Sequence, residues 1–245
     1  MLLVGGGLAN SLVALRLAAL RPRLRVTLLE REAARDDAHT WCMFRSDVPD
    51  STWRWLQPLF DQHWSGYSVA FPAFRRELST GYARLSGPRL ALAVEMALGP
   101  RLLRGVTVAE LAPDGATTTD GRRFRAPLVI DGRGFARCDS LRLAWQKFAG
   151  IELRLRAPHG LARPVLMDAE VPQQDGYRFF YLLPLAPDTL LVEDTRYSDS
   201  PLLDVGLLED GILGHARARG WQVAAAGRRE HGVLPIALSG DIERF

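Results

Sequence analysis

Three consecutive glycines, Gly5, Gly6 and Gly7, separate an apolar stretch, Leu2-Leu3-Val4, from a helical one that begins at Leu8. Glycine weakens the interior of either element, so such a cluster marks a backbone that must turn tightly or come close to something. Beyond it, Leu8, Leu12, Leu15 and Ala19 fall on one face at helical spacing. Leu24 to Leu29 then reads as a second strand ending at Glu30. Strand, glycine turn, helix and strand form a β-α-β unit whose helix N-terminus faces the position of a dinucleotide pyrophosphate. Gly5 allows the turn, Gly7 allows close backbone approach, and Glu30 is placed to accept hydrogen bonds from a ribose hydroxyl pair. Leu8, Ala9 and Asn10 at the helix start complete the expected contacts, with Asn10 replacing the third glycine of the usual spacing. An ordinary glycine-rich turn is the alternative, and the acid at the second strand's end argues against it. Only Met1 to Val4 precede Gly5, so the first strand is expected to be short and to lack its beginning.

A second apolar strand, Leu128-Val129-Ile130, also ends in an acid and glycines, Asp131-Gly132-Arg133-Gly134. A strand that returns beside the first and passes its Asp131-Gly132 turn near the cofactor suits FAD better than NAD, whose domain continues through further β-α repeats. Strands over Gly105 to Leu111 and Arg122 to Arg125 lie between, punctuated by Asp114-Gly115 and Asp120-Gly121. Residues 39–82 are rich in aromatics, among them Trp41, Phe44, Trp64, Tyr67 and Tyr82. These fill a core or line an apolar platform for a long unsaturated substrate. Ser86-Gly87-Pro88 starts a helix running to about Leu98.

From Trp145 the texture is that of an antiparallel sheet. Trp145 to Arg156, Pro164 to Val171, Gly176 to Leu185 and Thr189 to Tyr197 read as strands, followed by a helix from Leu202 to Arg219 and strand-like residues from Trp221 to Leu238. The expected fold class is α/β: a Rossmann-like FAD-binding domain, mainly residues 1–144, interleaved with a β-rich substrate domain, mainly residues 145–245. Two acidic positions stand out in the second part. Asp175 opens one strand, and the pair Glu193-Asp194 closes another. Neighbouring strand residues face opposite ways, so only one of that pair can enter a given cavity. A carboxyl in an apolar cavity keeps its proton to higher pH and becomes a donor, whereas a surface pair has no such role.

Other classes are disfavoured. With 31 basic and 28 acidic groups the net charge is only +3, which gives no reason to expect a nucleic-acid partner. Lys147 is the sole lysine. Cys42 and Cys138 stand apart with no CxxC, and His39, His63, His159, His215 and His231 form no HxH or HExxH pattern, so no metal site is expected. No GxSxG motif supports Ser/His/Asp hydrolysis. No apolar run reaches the length of a membrane span, and no cleavable signal peptide is read; attachment to a membrane surface stays open.

Several segments together resemble a known family. They are Val4 to Asn10, His39-Thr40-Trp41, Trp145 to Phe148, Met167-Asp168-Ala169, Asp175 to Phe179, Tyr181 to Leu185, Leu191 to Thr195 and Gly232 to Ile236. Their order and content resemble bacterial FAD-dependent lycopene β-cyclases along nearly the whole chain. The resemblance implies an intramolecular lyase, or isomerase, that protonates the end of lycopene and closes a β-ring through a carbocation, giving γ-carotene and then β-carotene. Reduced FAD is implied without net redox change, with NAD(P)H as reductant. Glu193 matches the family's catalytic glutamate and Asp175 a second acidic motif. Carotenoid substrates imply a cytoplasmic protein peripheral to the inner face of the cell membrane. The family's pattern continues past Phe245, so the chain is expected to lack a C-terminal part and to bind FAD weakly by itself. The rival readings are an FAD-dependent monooxygenase or hydroxylase of the same fold and a non-catalytic carotenoid-binding remnant.

Overall fold

A computed structural model describes residues 1–34, 39–135 and 139–244. Cys138 lies outside the described residues. The chain divides into two compact units, Met1–His39 with Leu85–Ala136, and Thr40–Arg84 with Arg137–Phe245.

The first unit is built on a four-stranded parallel sheet in the order Val129–Asp131, Leu2–Val4, Thr27–Leu29, Leu102–Leu103. Leu2, Leu3 and Val4 are all buried, as expected of a parallel strand covered on both faces. The helix Leu8–Leu20 follows the glycine turn. Its buried residues are Asn10, Ser11 and Ala14 rather than the expected Leu8, Leu12, Leu15 and Ala19 face. The helix is apolar almost all round, so periodicity cannot choose its inward face; small residues win where helix and strand approach most closely. The second strand begins at Thr27, not Leu24, because Leu24 N–H closes a turn onto Arg21 C=O at 2.8 Å. Helix Gly87–Leu98 starts within Ser86-Gly87-Pro88 as expected, with Pro88 in its first turn, and buries Leu90, Ala91, Val94 and Leu98. Val108–Ala112, Gly115–Thr118 and Arg123–Arg125 form an antiparallel three-stranded sheet whose Ala116 joins the core of Leu2, Val4, Leu29 and Val106.

The second unit holds a seven-stranded sheet. Its order is Val223–Gly240, Leu141–Leu155, Thr189–Ser198, Tyr177–Ala186, Val165–Asp168, Tyr67–Phe71, Phe74–Leu78. All neighbours are antiparallel except Val165–Asp168 against Tyr67–Phe71. The aromatic-rich segment from Thr40 to Arg84 supplies two strands to the large sheet and groups with the second unit. Its strands also include the small sheet Thr40–Phe44, Tyr82–Ser86, Gln62–Trp64.

Helix Val205–Ala218 covers one face of the large sheet. Asp204 caps its start by accepting from Leu207 N–H at 3.0 Å, and Leu208, Ile212 and Ala216 enter a core with Ile151, Leu153, Phe180, Leu182 and Val192. Two buried charge groups lie on this face. Asp194 takes Arg178 at 2.6 Å and Arg196 at 3.3 Å. Asp168 takes Arg219 and, at 3.3 Å, His215 Nε2, whose ring stacks on Phe180 with centroids 4.2 Å apart.

Asp168 links sheet to helix and gives stability a pH dependence. Burial pushes its carboxyl up, but His215 and Arg219 more than offset this and leave it below the usual carboxylate value. A depressed folded pKa stabilises above the unfolded value and is lost as pH falls through the folded one. Asp168→Asn is therefore expected to cost about 2 kcal/mol at neutral pH, with the gap to wild type closing below about pH 4. Urea unfolding of both proteins across that range checks it.

Candidate functional sites

The glycine turn is shaped by its neighbours. Gly5 has φ +91°, and a Cβ there would stand 2.5 Å from Gly132 C=O, so both the conformation and the close approach demand glycine. Asn10 donates its side-chain amide to Val4 C=O at 3.0 Å and Gly5 C=O at 2.9 Å. Gly132, packed on Asn10, donates its N–H to Val4 C=O at 2.7 Å. The Asp131-Gly132 turn thus stands beside the glycine turn, as Asp131 pairs with Val4 in register. Asn10 acts from beneath, holding the loop's shape from a buried position.

Gly7 behaves differently. It precedes the helix with no side-chain cap, and a Cβ there would meet nothing within 4 Å. That open space in front of the first-turn amides of Leu8 and Ala9 fits an anionic group. Glu30 accepts Gly6 N–H at 2.5 Å through one oxygen and Glu32 N–H at 2.8 Å through the other. Each carboxylate oxygen retains further accepting capacity. Asp131 is engaged by Arg133 at 2.9 and 2.8 Å, and this pairing holds its carboxyl below the usual range.

In the second unit, alternation along Thr189–Ser198 decides which acid goes where. Asp194 faces the helix, fully buried and neutralised by two arginines. Glu193 faces the opposite side, beside Tyr181 on one neighbouring strand and Gly150 on the other. Its face carries Tyr177, Phe179, Tyr181 and Tyr197, with Phe179 and Tyr181 rings 5.1 Å apart edge-on and Tyr177 and Tyr197 stacked at 6.3 Å. Leu183 and Leu191 on this face join Tyr82, Phe44, Trp64 and Tyr67 in an apolar cluster.

Glu193 keeps some accessible surface, yet protein atoms crowd its carboxyl. Burial pushes it up to about 8; the Thr195 hydroxyl, which donates to Glu193 at 2.5 Å, opposes the shift, and the charges of Glu230 and Asp194 add to it. Cys42 shows the same contrast: the residue has solvent-accessible surface, but desolvation pushes its thiol, hydrogen-bonded with Tyr82, up to about 12. It is therefore a neutral thiol. Sequence patterns missed Glu230, Glu152, Arg228, Arg84 and Thr40 on this side. Arg84 meets Glu152 at 2.9 Å, and Arg228 bridges Glu152 at 2.8 Å, Glu230 at 3.1 Å and Thr40 at 2.8 Å. They come from four separate strands, so only register could have revealed them.

Asp175 is not brought to Glu193. Tyr177 lies four strand positions from Tyr181, roughly 13 Å, and Asp175 lies beyond it. At φ +55° it binds Lys147 at 2.6 Å and Ser198 Oγ at 3.0 Å, and Lys147 above all holds its carboxyl low. A cavity of about 890 Å³ also lies elsewhere, on the helix-covered face, lined by Asp168, Arg178, Phe180, His215 and Arg219. Volume alone does not mark the acid site, because Glu193 is absent from that lining. Among the described residues no three His, Cys, Asp or Glu side chains gather as metal ligands.

Comparison with known proteins places the chain in a family and a fold. The chain is 42% identical over 245 residues to a lycopene beta-cyclase of Pantoea ananas, and 46% identical over 244 residues to one of Paracoccus sp.. It covers essentially all of itself in both cases but only 64% and 63% of those relatives' lengths. Among solved structures, NikD, an amino acid oxidase of nikkomycin biosynthesis, superposes with TM-score 0.66 at 16% identity, over 97% of this chain and 82% of that one. A putative FAD containing monooxygenase from Photorhabdus luminescens gives TM-score 0.54 at 12% identity, over 97% and 77%. At such identities the likeness shows the fold alone. The lycopene cyclase protein family matches residues 1–245, and the chain belongs to that family.

Proposed function

We propose that this chain is the cofactor- and acid-bearing part of a lycopene β-cyclase, which turns the linear ends of lycopene into β-rings, through γ-carotene to β-carotene. The observation that carries the proposal is Glu193, a carboxyl pushed up to about 8 on an aromatic sheet face of a lycopene cyclase family member. Its proton goes to the terminal double bond of the substrate, leaving a tertiary cation. The neighbouring double bond attacks that cation, a ring C–C bond forms, and loss of a ring proton completes the β-end. Protons balance and no electrons are consumed, so the enzyme is an intramolecular lyase, or isomerase.

The chain's residues supply what such a step needs. Glu193 holds the proton at neutral pH. Tyr177, Phe179, Tyr181 and Tyr197 offer aromatic faces that stabilise positive charge, and apolar Leu183 and Leu191 limit water near it. Asp175, tied to Lys147 and Ser198, organises the sheet end and does not move the proton. In the first unit, Gly5, Gly7, Leu8, Ala9, Glu30, Asp131 and Gly132 would hold FAD, with Asn10 fixing the loop; the uncapped helix and the open space at Gly7 fit that group. FAD held there in its reduced form, with NAD(P)H as its reductant, would supply negative charge that favours a cation. The substrate is insoluble in water, so the protein collects it at a membrane surface, peripherally and from the cytoplasmic side. No helix among the described residues is long and apolar enough to cross a membrane.

Two expectations test the reading. Expressed with the rest of its gene in a lycopene-accumulating bacterium, the chain should yield γ- or β-carotene, and Glu193→Gln should abolish both while leaving flavin binding intact. The cyclisation rate should fall as pH rises through about 8, since the neutral carboxyl is the donor. A folded, flavin-loaded protein that leaves lycopene unchanged overturns the proposal. The cofactor site has its own test. Gly7→Val should leave thermal stability within about 0.5 kcal/mol of wild type but weaken FAD binding about tenfold or more, read by quenching of flavin fluorescence.

A further inference from the structure

The acid face contains a second carboxyl that this reading of the reaction leaves unused. Glu230 stands on the edge strand Val223–Gly240, and both Glu230 and Glu193 pair in register with Gly150 of the strand between them. Residues directly opposite across antiparallel strands share a face, so the two carboxyls stand on one side of the sheet with only a glycine separating them. A Cβ at Gly150 would sit 3.0 Å from Glu230 Cγ and 3.3 Å from Glu230 Oε1. The Glu230 side chain therefore leans over the glycine, along the row that leads to Glu193. Glu230 is only 6% exposed; Oε2 receives Arg228 at 3.1 Å, the Thr40 hydroxyl also favours its charged form, and Oε1 is buried.

Charge counting gives this arrangement its meaning. The groups that act on Glu193 come from several strands: Thr195 on its own strand, Glu230, Tyr181, Tyr82 and Cys42, while Arg84, Glu152, Arg228 and Thr40 form a linked network that includes Glu230. Two arginines stand among three acids, and Arg84 and Arg228 are taken by Glu152 and Glu230. Among the described residues the third acid, Glu193, makes no ion pair, and Asp194 behind it is already paired with Arg178 and Arg196. We propose that Glu230 is a positioning residue for the proton on Glu193: held over Gly150 by Arg228, its carboxylate keeps Glu193 in the neutral, proton-bearing form. The inference rests on Glu193 being the proton donor. It deepens that reading by naming a group whose charge adds to burial in keeping the donor loaded. Glu230 is itself raised, chiefly by burial, with Arg228 opposing, so the pair shares its protons and titrates in two steps.

The test reads protonation directly. Infrared titration of the isolated chain, with Glu193→Gln identifying the Glu193 carboxylic-acid C=O band, should place its midpoint near 8. Glu230→Gln removes the neighbouring negative charge and leaves an excess of arginine, so the Glu193 midpoint should fall by about 1 pH unit or more. Glu230→Asp withdraws the carboxylate from above Gly150 by one methylene and should shift the midpoint by less; it also stands in if the glutamine variant fails to fold. A residue with a merely structural role would lower the melting temperature and leave the midpoint in place. An unmoved Glu193 midpoint in either folded variant overturns the inference. Because the readout needs no turnover, it separates from the cyclase reading: a shifted midpoint in a protein that never makes a ring supports the coupling and refutes the reaction.

Discussion

The second unit depends on one buried ion group, Arg178 and Arg196 on Asp194. Asp194 is fully out of water, and a lone carboxylate there would cost several kcal/mol. The two arginines make it tolerable only in one register. Shifting Thr189–Ser198 by a single residue would put Glu193 against the helix and Asp194 on the aromatic face, reversing every side chain on the strand. The interior ion group therefore fixes which acid emerges on the other face. Its stabilising and functional consequences are inseparable, since the same alternation that satisfies Asp194 leaves Glu193 unmatched.

The sheet thus makes two kinds of carboxyl from adjacent residues. Asp194 is buried among positive charge. Glu193 is crowded by aromatics, a hydroxyl and other acids, and it holds its proton into the alkaline range. Gly150 belongs to this design as much as the acids do. Any side chain there would displace Glu230 and fill the gap between the two carboxyls. In the first unit glycine has comparable uses at two positions: Gly5 lets the backbone pass against Gly132, and Gly7 leaves open space before a helix N-terminus.

How much of this the sequence discloses depends on whether the signal is local. The glycine turn, the returning strand to Asp131 and the helix start at Ser86-Gly87-Pro88 are local and stand where the sequence puts them, and the strand before Glu30 does too except that it begins at Thr27 instead of Leu24. So is the opposition of Glu193 and Asp194, which follows from strand periodicity alone. The inward face of the first helix was not legible, because a helix apolar all round carries no directional signal and the closest packing selects Asn10, Ser11 and Ala14. The strands between Thr40 and Arg84 were not legible either. Their aromatic residues carry no clean alternation, and Tyr67–Phe71 finds its parallel partner about a hundred residues away. Glu230 was hidden for the same reason: Arg-Arg-Glu-His on an edge strand reads as a solvated run until the register sets Glu230 across Gly150 from Glu193.

An acid held near 8 suits the chemistry it is asked to do. At neutral pH such a group is about 90% protonated, so the donor is loaded before substrate arrives. It remains a weak enough acid that its conjugate base, once formed, attracts a proton and a cation strongly. A carboxyl at its ordinary value would be ionised and useless as a donor; one matched by its own arginine, as Asp194 is, would be more so. Among the described residues Glu193 has no such arginine, and burial together with the neighbouring acids avoids both states without any group of unusual chemistry. The aromatic rings beside it add polarizable faces toward a cation and offer no nucleophile strong enough to capture it, whereas water would. Dryness and the larger part of donor strength therefore share a source, the packing of Tyr181, Leu191, Tyr82 and their neighbours against the carboxyl, to which the charge of Glu230 adds; a change that admits water there weakens both together.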